Sequence, residues 1–217
     1  MHDFGKDYWE AHWERPRVST DASADAPADP YLEPNPHLVG EVGDLAPGTA
    51  LDAGCGAGAE AVWLAARGWK VTAADISAEA LAQAARHAKE VSAPGSVAWV
   101  EADLTSWEPG GLFDLVTTHY AHPAMPQLAF YRRVSEWVAP GGNLLIVGHL
   151  NHADGEGHGH GHQPPREATV TLADIAGVLN PESWRIETAL ERSRAITTPD
   201  GRAVPLHDAV VRAVRLP

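Results

Sequence analysis

The sequence predicts an α/β fold: a mostly parallel, seven-stranded sheet covered by helices on both faces and finished by an antiparallel hairpin. Three observations carry that reading. The stretch Thr49 to Ser77, TALDAGCGAGAEAVWLAARGWKVTAADIS, reads as a strand, a glycine turn, a helix and a second strand. Further short apolar runs then alternate with segments of helical spacing as far as Val147, which is the pattern of a parallel sheet built from crossover units. Finally, Trp184 to Ile196 and Ala203 to Val214 alternate polar and apolar residues around Pro199-Asp200-Gly201, the signature of a hairpin.

Taken in order, Phe4 to Arg15 sets Tyr8, Trp9, His12 and Trp13 at helical spacing, with Asp3 or Gly5 able to start the helix. Such an aromatic, amphipathic helix either staples itself to the domain through its tryptophans or contributes to a site. Ser19 to Pro30 holds almost no large apolar residue and reads as a loop. Leu38 to Leu45 forms a short helix started by Asn35-Pro36, and Pro47-Gly48 turns the chain into the first strand. Val62, Trp63, Leu64, Ala65 and Ala66 recur at helical spacing until Gly68, which suits the left-handed position that closes a helix. Ser77 caps the next helix, which runs to about Glu90. Val97 to Val100 and Leu112 to Thr118 are the third and fourth strands, and Met125 to Val138 is a helix with Leu128, Tyr131, Val134 and Val138 on one face. The turn at Pro140-Gly141-Gly142 leads to a fifth strand, Asn143 to Val147. The stretch from Asn151 to Arg166 is rich in glycine and histidine and reads as a long loop. Thr171 to Leu179 is a last short helix, with Thr171 and Asp174 placed for a capping box.

The glycine turn is the chemical centre. Gly54, Gly56 and Ala59 fit the pattern of dinucleotide sites, but there a pyrophosphate approaches the helix N-terminus, and a carboxylate two residues before the first glycine repels it. Asp52 stands at that position. A nucleoside bearing an ammonium and a sulfonium is instead attracted to Asp52, while Asp75, ending the second strand, is placed to accept both ribose hydroxyls. S-adenosylmethionine is the cofactor with that chemistry, and a nicotinamide oxidoreductase is disfavoured.

Asp52 to Gly58, Asp75-Ile76-Ser77, Glu101-Ala102-Asp103-Leu104, Phe113-Asp114-Leu115-Val116 and Ala139-Pro140-Gly141-Gly142 follow one another in an order and spacing that resembles the motifs of class I S-adenosylmethionine-dependent methyltransferases. The resemblance covers about Leu38 to Gly148 and extends more loosely to small bacterial methyltransferases of the tellurite-resistance and thiopurine or thiol type. It implies a Rossmann-like fold and methyl transfer to an oxygen, nitrogen or sulfur nucleophile. It also implies that Asp103 and the Leu104 backbone hold the adenine, where the Asp103 side chain would otherwise serve as a turn cap. Gly54, Cys55, Gly56, Gly58, Ile76 and Thr118 would complete the cofactor site. N-terminal segments in that family close over cofactor and substrate, which makes Trp9 and Trp13 candidate substrate contacts.

With 217 residues and 44% hydrophobic content the chain supports one domain: 1–45 as N-terminal helix, loop and short helix, 46–150 as cofactor core, 151–168 as the His/Gly-rich loop, and 169–217 as final helix and hairpin. A net charge of -13 opposes nucleic acids and anionic membranes and favours a small-molecule acceptor. No window resembles a signal peptide or a span of about twenty apolar residues, so a cytoplasmic protein is expected. Nothing in the sequence speaks to oligomeric state. The single cysteine, Cys55, reads as a small residue in the turn and argues against chemistry that needs several thiols. Seven of the 12 histidines fall between His119 and His162. His119, His122, His149 and His152, where the fourth and fifth strands end, are expected near the methyl group with pKa values of about 6.5, as general base, substrate anchor or metal ligands. Of these, His119 or His149 is expected to assist the acceptor, and Tyr120 with His122 to shape its pocket. His158, His160 and His162 leave open a metal-handling protein on a nucleoside-binding scaffold.

Overall fold

The computed structural model describes residues 4–14, 32–91, 96–150, 168–197 and 203–217. Its elements are α1 (Lys6–Glu14), α2 (Pro36–Val42), β1 (Thr49–Ala53), α3 (Ala59–Ala66), β2 (Lys70–Asp75), α4 (Ala78–Glu90), β3 (Ser96–Glu101), β4 (Phe113–His119), α5 (Gln127–Glu136), β5 (Val138–Leu150), β6 (Thr169–Val170), α6 (Leu172–Val178), β7 (Trp184–Thr197) and β8 (Ala203–Arg215). The sheet runs in the order β3-β2-β1-β4-β5-β8-β7. Strands β1 to β5 are parallel, and β8 enters antiparallel beside β5 with β7 outside it. The crossovers leave β1 in opposite directions, towards β2 and towards β4, so the carboxyl ends of β1 and β4 open a crevice at the switch point.

Both faces of the sheet are buried, which is why its strands carry apolar residues at consecutive positions rather than at every second one. Val116, Leu144 and Ile146 pack with Phe130, Tyr131 and Val134 of α5 and Ile175 of α6. Their strand neighbours Leu115, Leu145 and Val147 pack on the opposite face with Leu38 and Val42 of α2 and Leu64 of α3. Phe130 and Tyr131 are fully buried, each worth roughly 1.5 to 3 kcal/mol of apolar burial.

The start signals act as expected. The Asn35 side chain accepts from the His37 amide, Ser77 accepts from the Ala80 amide, and Thr171 and Asp174 close a reciprocal capping box. The sheet departs from the sequence reading in two places. It has an eighth strand, the two-residue β6, which adds to β5. The expected turn at Pro140 to Gly142 is absorbed into a long, irregular β5, whose register against β4 shifts between Phe113 and Leu115. The hairpin tip at Pro199 to Gly201 lies outside the described residues.

Gly58 caps α3 in the left-handed region, at φ 79°. A Cβ there would stand 2.7 Å from the Trp99 ring and 2.8 Å from Ala84, so the turn, α4 and β3 meet at this residue. Gly58→Ala is therefore expected to cost roughly 2 to 4 kcal/mol in left-handed strain and overpacking. The melting temperature should fall by roughly 5 to 15 °C; an unchanged melting curve would show that the turn relaxes freely.

Candidate active site

The turn after β1 is held from below by β2. The Gly54 and Cys55 amides donate to the Ala74 carbonyl at 2.8 and 3.1 Å. Asp75 accepts from the Gly56 amide at 2.8 Å and from the Ser77 amide at 2.9 Å. Asp52 alternates along β1 onto the α2/α3 face, is 1% exposed, and its Oδ2 has no hydrogen-bond partner among the described residues. Burial pushes its carboxyl well above the ordinary range, and the negative charges of Glu60 and Asp75 add to the rise, against a lowering contribution from the Ala61 amide. Glu60, on the first turn of α3, accepts from the Asn35 amide at 3.0 Å and is itself pushed up by burial. The same surroundings push up the buried Cys55 thiol, which leaves it without the thiolate character of a nucleophile. An acidic turn with an orphaned buried oxygen disfavours a pyrophosphate and favours a cation, whose charge stabilises the ionised Asp52. It fits the ammonium and sulfonium end of S-adenosylmethionine.

Helix α1 lies over this turn. Glu10 reaches the N-terminus of α4, where it accepts from the Ser77 hydroxyl at 2.7 Å, the Ala78 amide at 2.9 Å and the Glu79 amide at 3.2 Å. Trp13 packs so closely on the turn that a Cβ on Gly56 would meet its ring at 2.7 Å. Gln83 donates to the Trp13 carbonyl at 3.0 Å, Trp9 Nε1 donates to the His122 carbonyl at 3.2 Å, and Lys6 pairs with Glu101. The aromatic helix thus bridges the ends of β2, β3 and β4. The adenine candidates lie beyond β3. Asp103 is exposed and its Oδ1 accepts from the Thr105 amide and hydroxyl at 2.9 and 2.7 Å, while the Leu104 carbonyl accepts from Arg133 at 2.8 Å.

A column of rings forms the second wall. Phe4 and His122 have centroids 5.8 Å apart, His122 and His149 5.4 Å, and His149 and Tyr120 4.6 Å. Tyr120 takes the left-handed region, φ 53°, the one described non-glycine residue to do so, and such strain concentrates where a side chain must be aimed. Its hydroxyl accepts from Arg194 at 3.1 Å and from Asn35 at 3.4 Å. Arg194 also donates to the fully buried Asp208, which His37 meets at 2.9 Å. Ala121 seats this column beside the donor turn, since a Cβ on Gly54 would stand 2.4 Å from the Ala121 Cβ.

The structure gathers His122, His149 and Tyr120 but places His119 beside Thr117 and His37. Thr118 shares its face of β4 with Val116, opposite to Asp52, because side chains alternate along a strand. The expected pKa values near neutrality do not hold. Burial pushes His119 down to about 3, assisted by His37, and His149 down to about 4, assisted by His122; His122 is lowered by burial too. These rings are neutral at pH 7. Among the described residues no three His, Cys, Asp or Glu side chains gather as a metal site, and His152, His158, His160 and His162 lie outside those residues. The residues whose part in the site sequence reasoning missed are Glu10, His37, Glu60, Gln127, Arg194 and Asp208, none of which stands in a recognisable motif, and Asn35, which was legible only as a helix start.

Residues 50–142 match the family model of a methyltransferase domain. The chain is similar to a probable thiol methyltransferase of Arabidopsis thaliana, 29% identical over 64% of this chain and 60% of that protein, so it spans less than two thirds of that relative's length. It is also similar to a thiocyanate methyltransferase of the same plant, 29% identical over 76% of this chain and 70% of that protein. Among solved structures it resembles TehB from Haemophilus influenzae, with a TM-score of 0.63 at 17% identity over 83% of this chain and 61% of that one. With its switch-point crevice, its acidic glycine turn and these matches, the chain carries a methyltransferase domain over residues 50–142 and resembles the class I S-adenosylmethionine-dependent methyltransferases.

Proposed function

We propose that this protein transfers the methyl group of S-adenosylmethionine to a nucleophilic atom of a small molecule, with sulfur of a thiol as the acceptor of first choice. The observation that carries the reading is the buried, unpartnered Asp52 Oδ2 beneath the glycine turn. When bound, S-adenosylmethionine supplies a methyl group on a sulfonium, which is displaced in line by the acceptor. The chain's task is to align the two and to exclude water.

Asp52 holds the cationic end of the donor. Each Asp75 oxygen already accepts one amide and retains a lone pair for a ribose hydroxyl. Asp103 and Leu104 border the adenine. Trp9 and Trp13 on α1 roof the crevice, and Tyr120, His122 and His149 line the acceptor side. The preference for a small acceptor is supported by the net charge of -13, which repels polyanions; the preference for sulfur is supported by the thiol methyltransferase relative. Among the described residues no helix is long and apolar enough to cross a membrane. A single, buried free thiol suits the reducing cytoplasm, where we place the protein. No observation favours the metal-handling or nicotinamide readings.

The direct test is incubation with S-adenosylmethionine and a panel of thiols, phenols and amines, with detection of S-adenosylhomocysteine. Product should form with at least one thiol; failure of the protein to bind S-adenosylmethionine at all would overturn the reading.

Asp52 has a second, thermodynamic consequence. Its pKa is higher in the folded donor-free protein than in the unfolded chain. Its contribution to stability is therefore present at low pH and lost as pH rises through the raised folded value. Asp52→Asn should leave the donor-free melting temperature unchanged or higher at pH 7 while weakening donor affinity at least tenfold, the loss of about one charge-assisted hydrogen bond. A variant that melts lower and binds the donor normally would show Asp52 to be structural.

Aspartate 75 separates differently. Because it also braces the Gly56 and Ser77 amides, Asp75→Ala should reduce both donor affinity, by at least about tenfold, and thermal stability, by about 1 to 3 kcal/mol. Calorimetric affinity equal to wild type would remove it from the ribose.

A further inference from the structure

Gln127, the first residue of α5, is buried and touches both the loop after β4 and the ring column. Its Nε2 donates to the Ala121 carbonyl at 3.0 Å and faces the Tyr131 hydroxyl. That anchoring turns the amide oxygen towards His122, 3.0 Å from its Nδ1. An amide oxygen only accepts, so the hydrogen between them belongs to Nδ1. A neutral imidazole carries a single N–H, and Nε2 of His122 is therefore a bare lone pair. This nitrogen is buried and has no hydrogen-bond partner among the described residues. The segment that bears it presses on the donor turn through Ala121 and Gly54, and its backbone is tied to α1 by Trp9.

Resting on the methyltransferase reading above, we infer that Gln127 is a positioning residue that locks His122 in the Nδ1–H tautomer, so that Nε2 receives the proton of an acceptor entering as a neutral X–H nucleophile, a thiol first. A neutral acceptor is specified because a lone pair attracts an X–H group and repels an anion. As the acceptor atom forms its bond to the methyl carbon, the sulfonium C–S bond breaks with its electron pair going to sulfur. The acceptor's proton passes to Nε2, and the imidazolium later returns it to water. His122 need not be a strong base, because an acceptor atom becomes strongly acidic as its new bond forms. The titratable group that faces His122 is His149 on β5; α1 presents Phe4 and Trp9, and α5 presents Gln127.

The test reads the ring directly. In nitrogen-15 spectra of the full-length protein, His122 should show a protonated Nδ1 and an unprotonated Nε2. Gln127→Leu should abolish that preference and lower kcat by about a hundredfold, with donor affinity by calorimetry unchanged and the acceptor KM moved far less. Gln127→Glu should retain the Nδ1–H tautomer and most of kcat, and shift the acid limb of the kcat profile to higher pH, since a carboxylate favours imidazolium. Wild-type His122 protonated on Nε2, or turnover in folded Gln127→Leu within about threefold of wild type, would overturn the inference. Failure of the underlying reading looks different: wild type would not bind S-adenosylmethionine, whatever the tautomer.

Discussion

A buried carboxylate at the end of β1, one of whose oxygens has no partner among the described residues, is the constraint on which the site depends. Burying Asp52 in the donor-free protein is unfavourable, and the Ala61 amide offsets only part of it, because its charged neighbours Glu60 and Asp75 are also acids. Such an arrangement persists when the missing partner is a ligand. The sheet makes the burial possible: β1 is flanked by β2 and β4, and both faces of the sheet are covered. The switch point, where the crossovers leave β1 towards β2 and towards β4, sets Asp52 at the base of the crevice.

Donor and acceptor walls are coupled through short segments. Helix α1 touches both, through Trp13 on Gly56 and Trp9 on the His122 carbonyl, and its Glu10 takes the place of a solvent anion at the N-terminus of α4. On the other side Ala121 meets Gly54, so the strained backbone at Tyr120 and the tethered ring of His122 are set relative to the turn within one close contact. The hairpin contributes from a distance. Arg194 and Asp208 hold the Tyr120 hydroxyl and His37 in one polar cluster, which ties the last two strands to the acceptor wall.

What could be read from the sequence was what local chemistry dictates. Glycines at 54, 56 and 58 announced the turn, Asp52 and Asp75 announced the charge of its ligand, and Thr171 with Asp174 announced a helix start. Features made by chain segments far apart could not be read. Glu10 meets Ser77 across 67 residues and Arg194 meets Tyr120 across 74. The two-residue β6 is too short to leave a periodic signal. The histidines were visible as a cluster, but their basicity is set by burial, which lowers His119 and His149 far below the free value. Spacing likewise gives no hint that Gln127, five residues after His122, would settle which nitrogen of that ring carries the proton.

The account stands or falls on Asp52 meeting a cation. Its carboxyl, pushed up in the donor-free site, is pulled back down when the ammonium and sulfonium arrive, and a fall in pKa on binding is read as proton release. Calorimetric titration with S-adenosylmethionine, repeated in buffers of different ionisation enthalpy from about pH 5 to about pH 8, measures the release. Net proton release that disappears or shrinks in Asp52→Asn is the predicted result. A binding enthalpy independent of buffer throughout that range would contradict it.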